Sequence, residues 1–136
     1  AKVYDRNAIP VVVAAAPVIS DALVTMFLAD VGTIYITTNG YLSGVISRKD
    51  FLKNAIGGLN LHNTPVGVIM TRMPNIVLTT PEETLLEAAM KLIEHEIDSV
   101  PVVEEIINGE EKNYKIIGVI TKTTITRFLV ELGNNE

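Results

Sequence analysis

Apolar positions recur along the chain with two different periods, and each period appears twice. Ala22, Leu23, Met26 and Phe27, and later Leu85, Leu86, Ala89, Met90 and Ile93, repeat every three to four residues, the spacing of a helix with one buried stripe. Val- and Ile-rich stretches near residues 11–14, 33–37 and 42–46, and near 76–79, 99–103 and 115–120, predict strands. Asn39-Gly40 and Asn108-Gly109 predict hairpin turns between neighbouring strands. Phe51, Leu52, Ala55 and Ile56 predict a short helix stopped by Gly57-Gly58, and Ile125, Phe128, Leu129 and Leu132 one stopped by Gly133. The first long helix enters weakly around residues 17–21. The second has a clear start in Thr80-Pro81-Glu82-Glu83, with a Thr cap, Pro where its missing N–H costs nothing, and Glu three residues on.

These elements form a duplication. A shift of 66 places Asp30-Val-Gly-Thr-Ile-Tyr-Ile36 on Glu96-Ile-Asp-Ser-Val-Pro-Val102. Matching Gly44-Val-Ile-Ser-Arg-Lys-Asp50 to Gly118-Val-Ile-Thr-Lys-Thr-Thr124 needs a shift of 74, so the second copy holds eight extra residues within 104–115. Each copy reads strand, helix, strand, strand, helix. The expected organisation is a first repeat over residues 1–60, a linker leading into the second over 61–75, and a second repeat over 76–136. The predicted fold class is α+β, in the wider sense α/β: two β-α-β-β-α units. A lone three-stranded sheet would leave an apolar face wet, so the copies are expected to pack with pseudo-twofold symmetry and two equivalent clefts.

Composition narrows the possible functions. With 48% hydrophobic and 20% charged residues the chain of 136 residues has enough apolar area to fold, and with no Trp and three Phe its core is aliphatic. A net charge of −5 argues against this fragment wrapping nucleic acid. The absence of Cys removes disulfides and thiolate chemistry and suits the cytoplasm. Only His62 and His95 are present, too few for a His triad or a multi-histidine metal site, so no metal and no catalytic residue is expected. His95, between Glu94 and Glu96, reads as a solvated surface residue, and His62 as part of the linker. The longest apolar run, over residues 9–19, is 11 residues long with two prolines, short of the ~20 that a membrane span needs. Asp5 and Pro10 spoil its likeness to a signal peptide. The missing initiator Met points to a piece of a longer polypeptide.

Ser99-Val-Pro-Val-Val103, the hairpin after it, and the Gly-Val-Ile-Ser-x-x-Asp and Gly-Val-Ile-Thr motifs resemble a tandem pair of CBS domains, the Bateman module, over nearly the whole chain. Leu61-His-Asn-Thr-Pro-Val-Gly-Val-Ile-Met-Thr-Arg-Met-Pro-Asn-Ile76, with Lys91-Leu-Ile-Glu-His-Glu-Ile-Asp98 and Ile120-Thr-Lys-Thr-Thr124, is similar more narrowly to the C-terminal region of catabolite control protein N-type bacterial repressors. That resemblance implies a winged helix-turn-helix upstream, repression of gluconeogenic genes, and DNA contact only through the upstream domain.

The resemblance also implies an adenine nucleotide (ATP, ADP or AMP) as regulatory ligand in the clefts between the copies, with no catalytic cofactor. Ser47 would lie near the phosphates and Asp50 would hold the ribose hydroxyls, beside Arg48 and Lys49 at a helix N-terminus that favours anions. Arg72, Asn75 and Ile76, then Ile97, Asp98, Ser99 and Pro101, would form the other wall. The related cleft would use Pro10, Val11, Val31, Gly32, Thr33 and Thr121, with Thr124 where the family has Asp, which weakens its contact with a ribose. Read without a ligand, Ser47-x-x-Asp50 is a helix N-cap with an acidic third residue, and Thr121 with Thr124 is another.

Three functions follow. The first is a nucleotide sensor acting on a fused partner domain. The second is an interaction module without a metabolite, whose helices pair two protomers as a homodimer. The third is an enzyme, for which the sequence offers no P-loop, nucleophile elbow or metal-ligand spacing.

Overall fold

The computed structural model describes residues 1–14, 17–55 and 57–134. Ala15, Ala16 and Ile56, which belong to the apolar run and to the face of the first closing helix, lie outside the described residues. The elements are β1 (Val12–Ala14), α1 (Ile19–Ala29), β2 (Thr33–Thr38), β3 (Tyr41–Ser47), α2 (Arg48–Ala55), β4 (Thr71–Arg72), α3 (Leu85–His95), β5 (Ser99–Asn108), β6 (Glu111–Thr121) and α4 (Lys122–Asn134), with single 3-10 turns at Val3–Asp5 and Val66–Val68. This is the α+β arrangement expected from the two periods.

The chain divides into two compact units, Val11–Ile76 and a second made of Ala1–Pro10 with Val77–Glu136. The first ten residues therefore pack with the second repeat, and residues 61–76 with the first, where the sequence reading had put 1–10 in the first repeat and treated 61–75 as a linker.

In the Val11–Ile76 unit the sheet order is β1-β2-β3-β4, with β1 parallel to β2 and the other pairs antiparallel. Ala22, Met26, Ile34, Ile36, Ile46 and Val66 form its core. Alternation in β3 buries Leu42, Gly44 and Ile46 and leaves the odd positions half-buried, the period-two pattern of a strand with one covered face.

The second unit repeats that order with its outer strands reduced to single bridges. The strand expected near 76–79 is only Thr79, bridged in parallel to Val102, and β6 is flanked by Ala8. The Leu78 carbonyl accepts instead from Lys91 Nζ at 2.7 Å. Val3, Leu85, Ala88, Leu92, Val100, Val102 and Ile120 form this core. The eight extra residues lengthen β5 and β6 into a paired ribbon that turns at Gly109 (φ 62°).

Two helix boundaries differ from the sequence reading. Helix α3 starts at Leu85 with Thr84 as its cap, whose Oγ1 accepts from Glu87 N at 3.1 Å. The earlier frame is committed elsewhere: Glu83 receives Lys91 Nζ at 2.7 Å and the buried Thr79 hydroxyl at 3.0 Å, while the carbonyls of Pro81 and Glu83 accept from Tyr4 and Val3. Helix α4 runs through Gly133 to Asn134.

Candidate functional site

Each unit contains one corner where a strand end meets a helix start, and the two corners are built alike. In the first, Thr33 pairs with Ser47 and the backbone N–H of Arg48 donates to the carbonyl of Gly32 at 3.1 Å. In the second, Ser99 pairs with Thr121 and the N–H of Lys122 donates to the carbonyl of Asp98 at 3.1 Å. The helix is thus pinned to the loop that follows the previous helix.

Side chains make the corners different. Asp50 is half-buried, and its Oδ2 accepts from both the N–H (2.8 Å) and the hydroxyl (3.2 Å) of Ser47. Among the described residues Asp50 makes no ion pair. Its charge at the third helical position also complements the helix dipole. In the second corner Thr121 and Thr124 satisfy each other: Thr124 N donates to Thr121 Oγ1 at 3.3 Å, Thr121 N to Thr124 Oγ1 at 3.4 Å, and the hydroxyls lie 3.2 Å apart. Both reciprocal bonds of a capping box are present at the Thr121 corner, and at the Ser47 corner the half in which Asp50 accepts from the Ser47 N–H. Lys122 Nζ meets Asp98 Oδ1 at 2.9 Å in an exposed ion pair, a contact that the sequence reading missed because the two residues lie on different elements.

Arg48 and Lys49 are exposed at the start of α2. Arg72 pairs across to Gly44, and its guanidinium donates to the Gly67 carbonyl at 2.7 Å; Asn75 N donates to the Arg72 carbonyl at 2.9 Å. Ile76 is only 7% exposed, so its side chain belongs to the interior. Val11 and Val31 pack against the core of the first unit, and the Val11 carbonyl accepts from Tyr35 N. Ile97 packs against the core of the second; Pro101 is buried there and its carbonyl accepts from Thr79 N. Pro10 is half-buried. The structure thus joins Val31, Gly32 and Thr33 to the Ser47 and Asp50 corner, and Ile97, Asp98 and Ser99 to the Thr121 and Thr124 corner. The sequence reading had Ile97, Asp98 and Ser99 as the wall facing the Ser47 and Asp50 corner, and Val31, Gly32 and Thr33 as the wall facing the Thr121 corner, each supplied by the other repeat.

His62 and His95 are both exposed, and His62 N donates to Asn60 Oδ1 in a turn. No helix of the described residues is long and apolar enough to cross a membrane.

The CBS-domain family model matches residues 66–131. Among solved structures, the CBS domain pair of protein MJ0100, in complex with 5′-methylthioadenosine and S-adenosyl-L-methionine, matches with a TM-score of 0.78 over 100% of this chain and 98% of that one, at 23% identity. The chain contains a CBS domain and has the fold of a CBS pair. A second CBS protein, PAE2072 from Pyrobaculum aerophilum complexed with AMP, has a TM-score of 0.77 at 19% identity, covering 98% of this chain and 99% of that one. In sequence, this CBS protein is 43% identical to the transcriptional repressor CcpN of Bacillus subtilis (strain 168) over 99% of its own length and 62% of the repressor's. It is 28% identical to the mitochondrial CBS domain-containing protein CBSX3 of Arabidopsis thaliana, over 85% of this chain and 54% of that protein. The chain therefore spans between about half and two-thirds of these relatives.

Proposed function

We propose that the chain is a regulatory module that binds an adenine nucleotide at the Ser47 and Asp50 corner. The observation that carries this reading is the Asp50 carboxylate: Oδ2 is fixed by Ser47, and Oδ1 takes part in neither bond. A carboxylate oriented in this way can accept from a ribose cis-diol through Oδ1, and charge-assisted bonds contribute about 1.5–3 kcal/mol each. The adjoining first turn of α2 supplies N–H groups and a positive dipole end for the phosphate. The resemblance assigns contacts to Arg72, Asn75, Ile97, Asp98, Ser99 and Pro101 as well. The Thr121 and Thr124 corner offers hydroxyls already engaged with each other, so it takes nucleotide weakly. Solved CBS pairs in complex with AMP and with S-adenosyl-L-methionine favour an adenosine compound as ligand.

In this reading the chain is the effector region of a cytoplasmic repressor of gluconeogenic genes, and DNA is contacted by an upstream domain, as the identity to CcpN favours. Binding regulates only if the nucleotide has different affinities for two states of the module. A second reading, a homodimerisation module without a metabolite, is favoured by the apolar residues on α1 and α3 that face water: Phe27 is 82% exposed, Leu28 77%, Leu86 72% and Ile93 69%.

Titration calorimetry with AMP, ADP and ATP separates the two. The sensor reading expects saturable binding that falls ~10-fold or more in Asp50→Ala, the size expected for losing charge-assisted bonds. Absence of binding, with a mass by light scattering that doubles as protein concentration rises, supports the interaction module instead.

A further inference from the structure

Residues Ala1–Pro10 pack onto the second repeat as a strap. Val3 N donates to the Glu83 carbonyl, Tyr4 N to Pro81, Leu85 N to Ala1, and Ala8 and Val119 exchange both of their backbone bonds. Asn7 lies over Gly118, where an added Cβ would come within 2.8 Å of its Cγ. Despite this length of contact only one strap side chain is buried, Val3 at 0% exposure; Tyr4 is 58% exposed and Ile9 93%. A segment with one apolar anchor and backbone bonds near the surface belongs to the low-stability end of a structure, where local opening precedes global unfolding.

One clasp supplements that anchor. Arg6 binds Glu131 on α4 through two contacts, Nη1 to Oε1 at 3.0 Å and Nη2 to Oε2 at 2.5 Å, and its guanidinium lies 5.7 Å from the Phe128 ring centroid. The first repeat has an equivalent strap, with Val66 buried at the place of Val3 and β4 at the place of Ala8. There Ile69 packs into the core at the place of Arg6. The clasp therefore distinguishes the second strap from the first. Helix α4 carries it near one end and the Lys122–Asp98 pair at the other, so the strap and the Thr121 corner are attached to a single rigid element.

We infer that residues 1–10 form a strap that opens and closes on the second repeat as a separate unit, with Arg6, Glu131 and Phe128 as the clasp that sets its docked fraction. Its regulatory use, passing the state of α4 to chain that precedes the strap, rests on the function proposed above; the opening itself does not. Hydrogen exchange of the whole chain without nucleotide tests the opening, and nucleotide titration tests the function, so each can fail alone.

In wild type the amides of Val3, Tyr4, Ala8 and Val119 are expected to exchange faster than those of Leu92 and Val100 in the core. Arg6→Glu should speed the strap amides by roughly 3- to 10-fold, the scale of an exposed ion pair plus a cation–π contact, and leave the core amides unchanged. Arg6→Glu with Glu131→Arg should restore them in part, and 1 M salt should speed exchange in wild type more than in Arg6→Glu. Strap amides that exchange only together with the core, or no response to the charge reversal and its compensation, would overturn the inference.

Discussion

Asp50 and Thr124 occupy the same place in two copies of one motif, the third residue of a helix that follows a hairpin. An ionised carboxylate has two oxygens and about four acceptor sites, whereas a hydroxyl has one oxygen. The cap consumes Oδ2 of Asp50 and all of the Thr124 hydroxyl's near partners. Sequence presented Ser47-x-x-Asp50 as either a cap or a ligand contact, and the geometry makes the cap without using up the carboxylate. Sequence pointed to Thr80-x-x-Glu83 as the start of the second long helix, yet the next four residues, Thr84-x-x-Glu87, have the same capping-box form. The choice is tertiary: Lys91 and Thr79 hold Glu83, and only Thr84 is left to cap α3. Thr84→Ala should therefore cost about 1 kcal/mol in urea denaturation while Thr80→Ala costs less. The reverse order would place the helix start at residue 80 after all.

At the scale of elements, the helices and hairpins were legible because their periodicities are local. The extra residues of the second hairpin were legible as an insertion at Asn108-Gly109, and they lengthen the ribbon rather than loop out; there Glu105 raises the pKa of the Lys112 ammonium beside it. The strap was not legible, since Val3 sits among Lys2, Asp5 and Arg6 with no strand or helix period, and its value comes from a pocket made by residues more than 80 positions away, Leu85 among them. Its clasp has a pH signature. The hydrogen bond from Arg6, and then its charge, hold the Glu131 carboxyl below its ordinary value. A carboxylate with a depressed folded pKa stabilises the docked state above its unfolded pKa and loses that contribution as pH falls through the folded one. The docked fraction, read from the Val119 amide chemical shift, should decline as pH drops through and below the usual carboxylate range. In Glu131→Gln this dependence should flatten, and an unchanged titration would remove the clasp from the account.

At the scale of the whole molecule, the duplication was legible from two shifted alignments, and the CBS motifs within it pointed to the domain that the family model matches over residues 66–131. The exact composition of the units was not. Backbone pairing assigns Ala1–Pro10 to the second repeat and the 61–76 segment to the first, so the chain passes between units at Pro10 and again at Ile76. Pairing partners so distant in sequence leave no periodic trace for a local reading to find. Within each repeat the backbone sets Gly32 beside Arg48 and Asp98 beside Lys122. Recognition of an adenine nucleotide at the Asp50 corner is the claim on which the functional account depends. The most direct test is an amide-resolved NMR titration of the chain with AMP. The account expects saturable shifts concentrated at the amides of Ser47, Arg48, Lys49 and Asp50, with a midpoint that moves ~10-fold or more higher in Asp50→Ala. A corner whose amides stay still while AMP reaches millimolar concentration would contradict it.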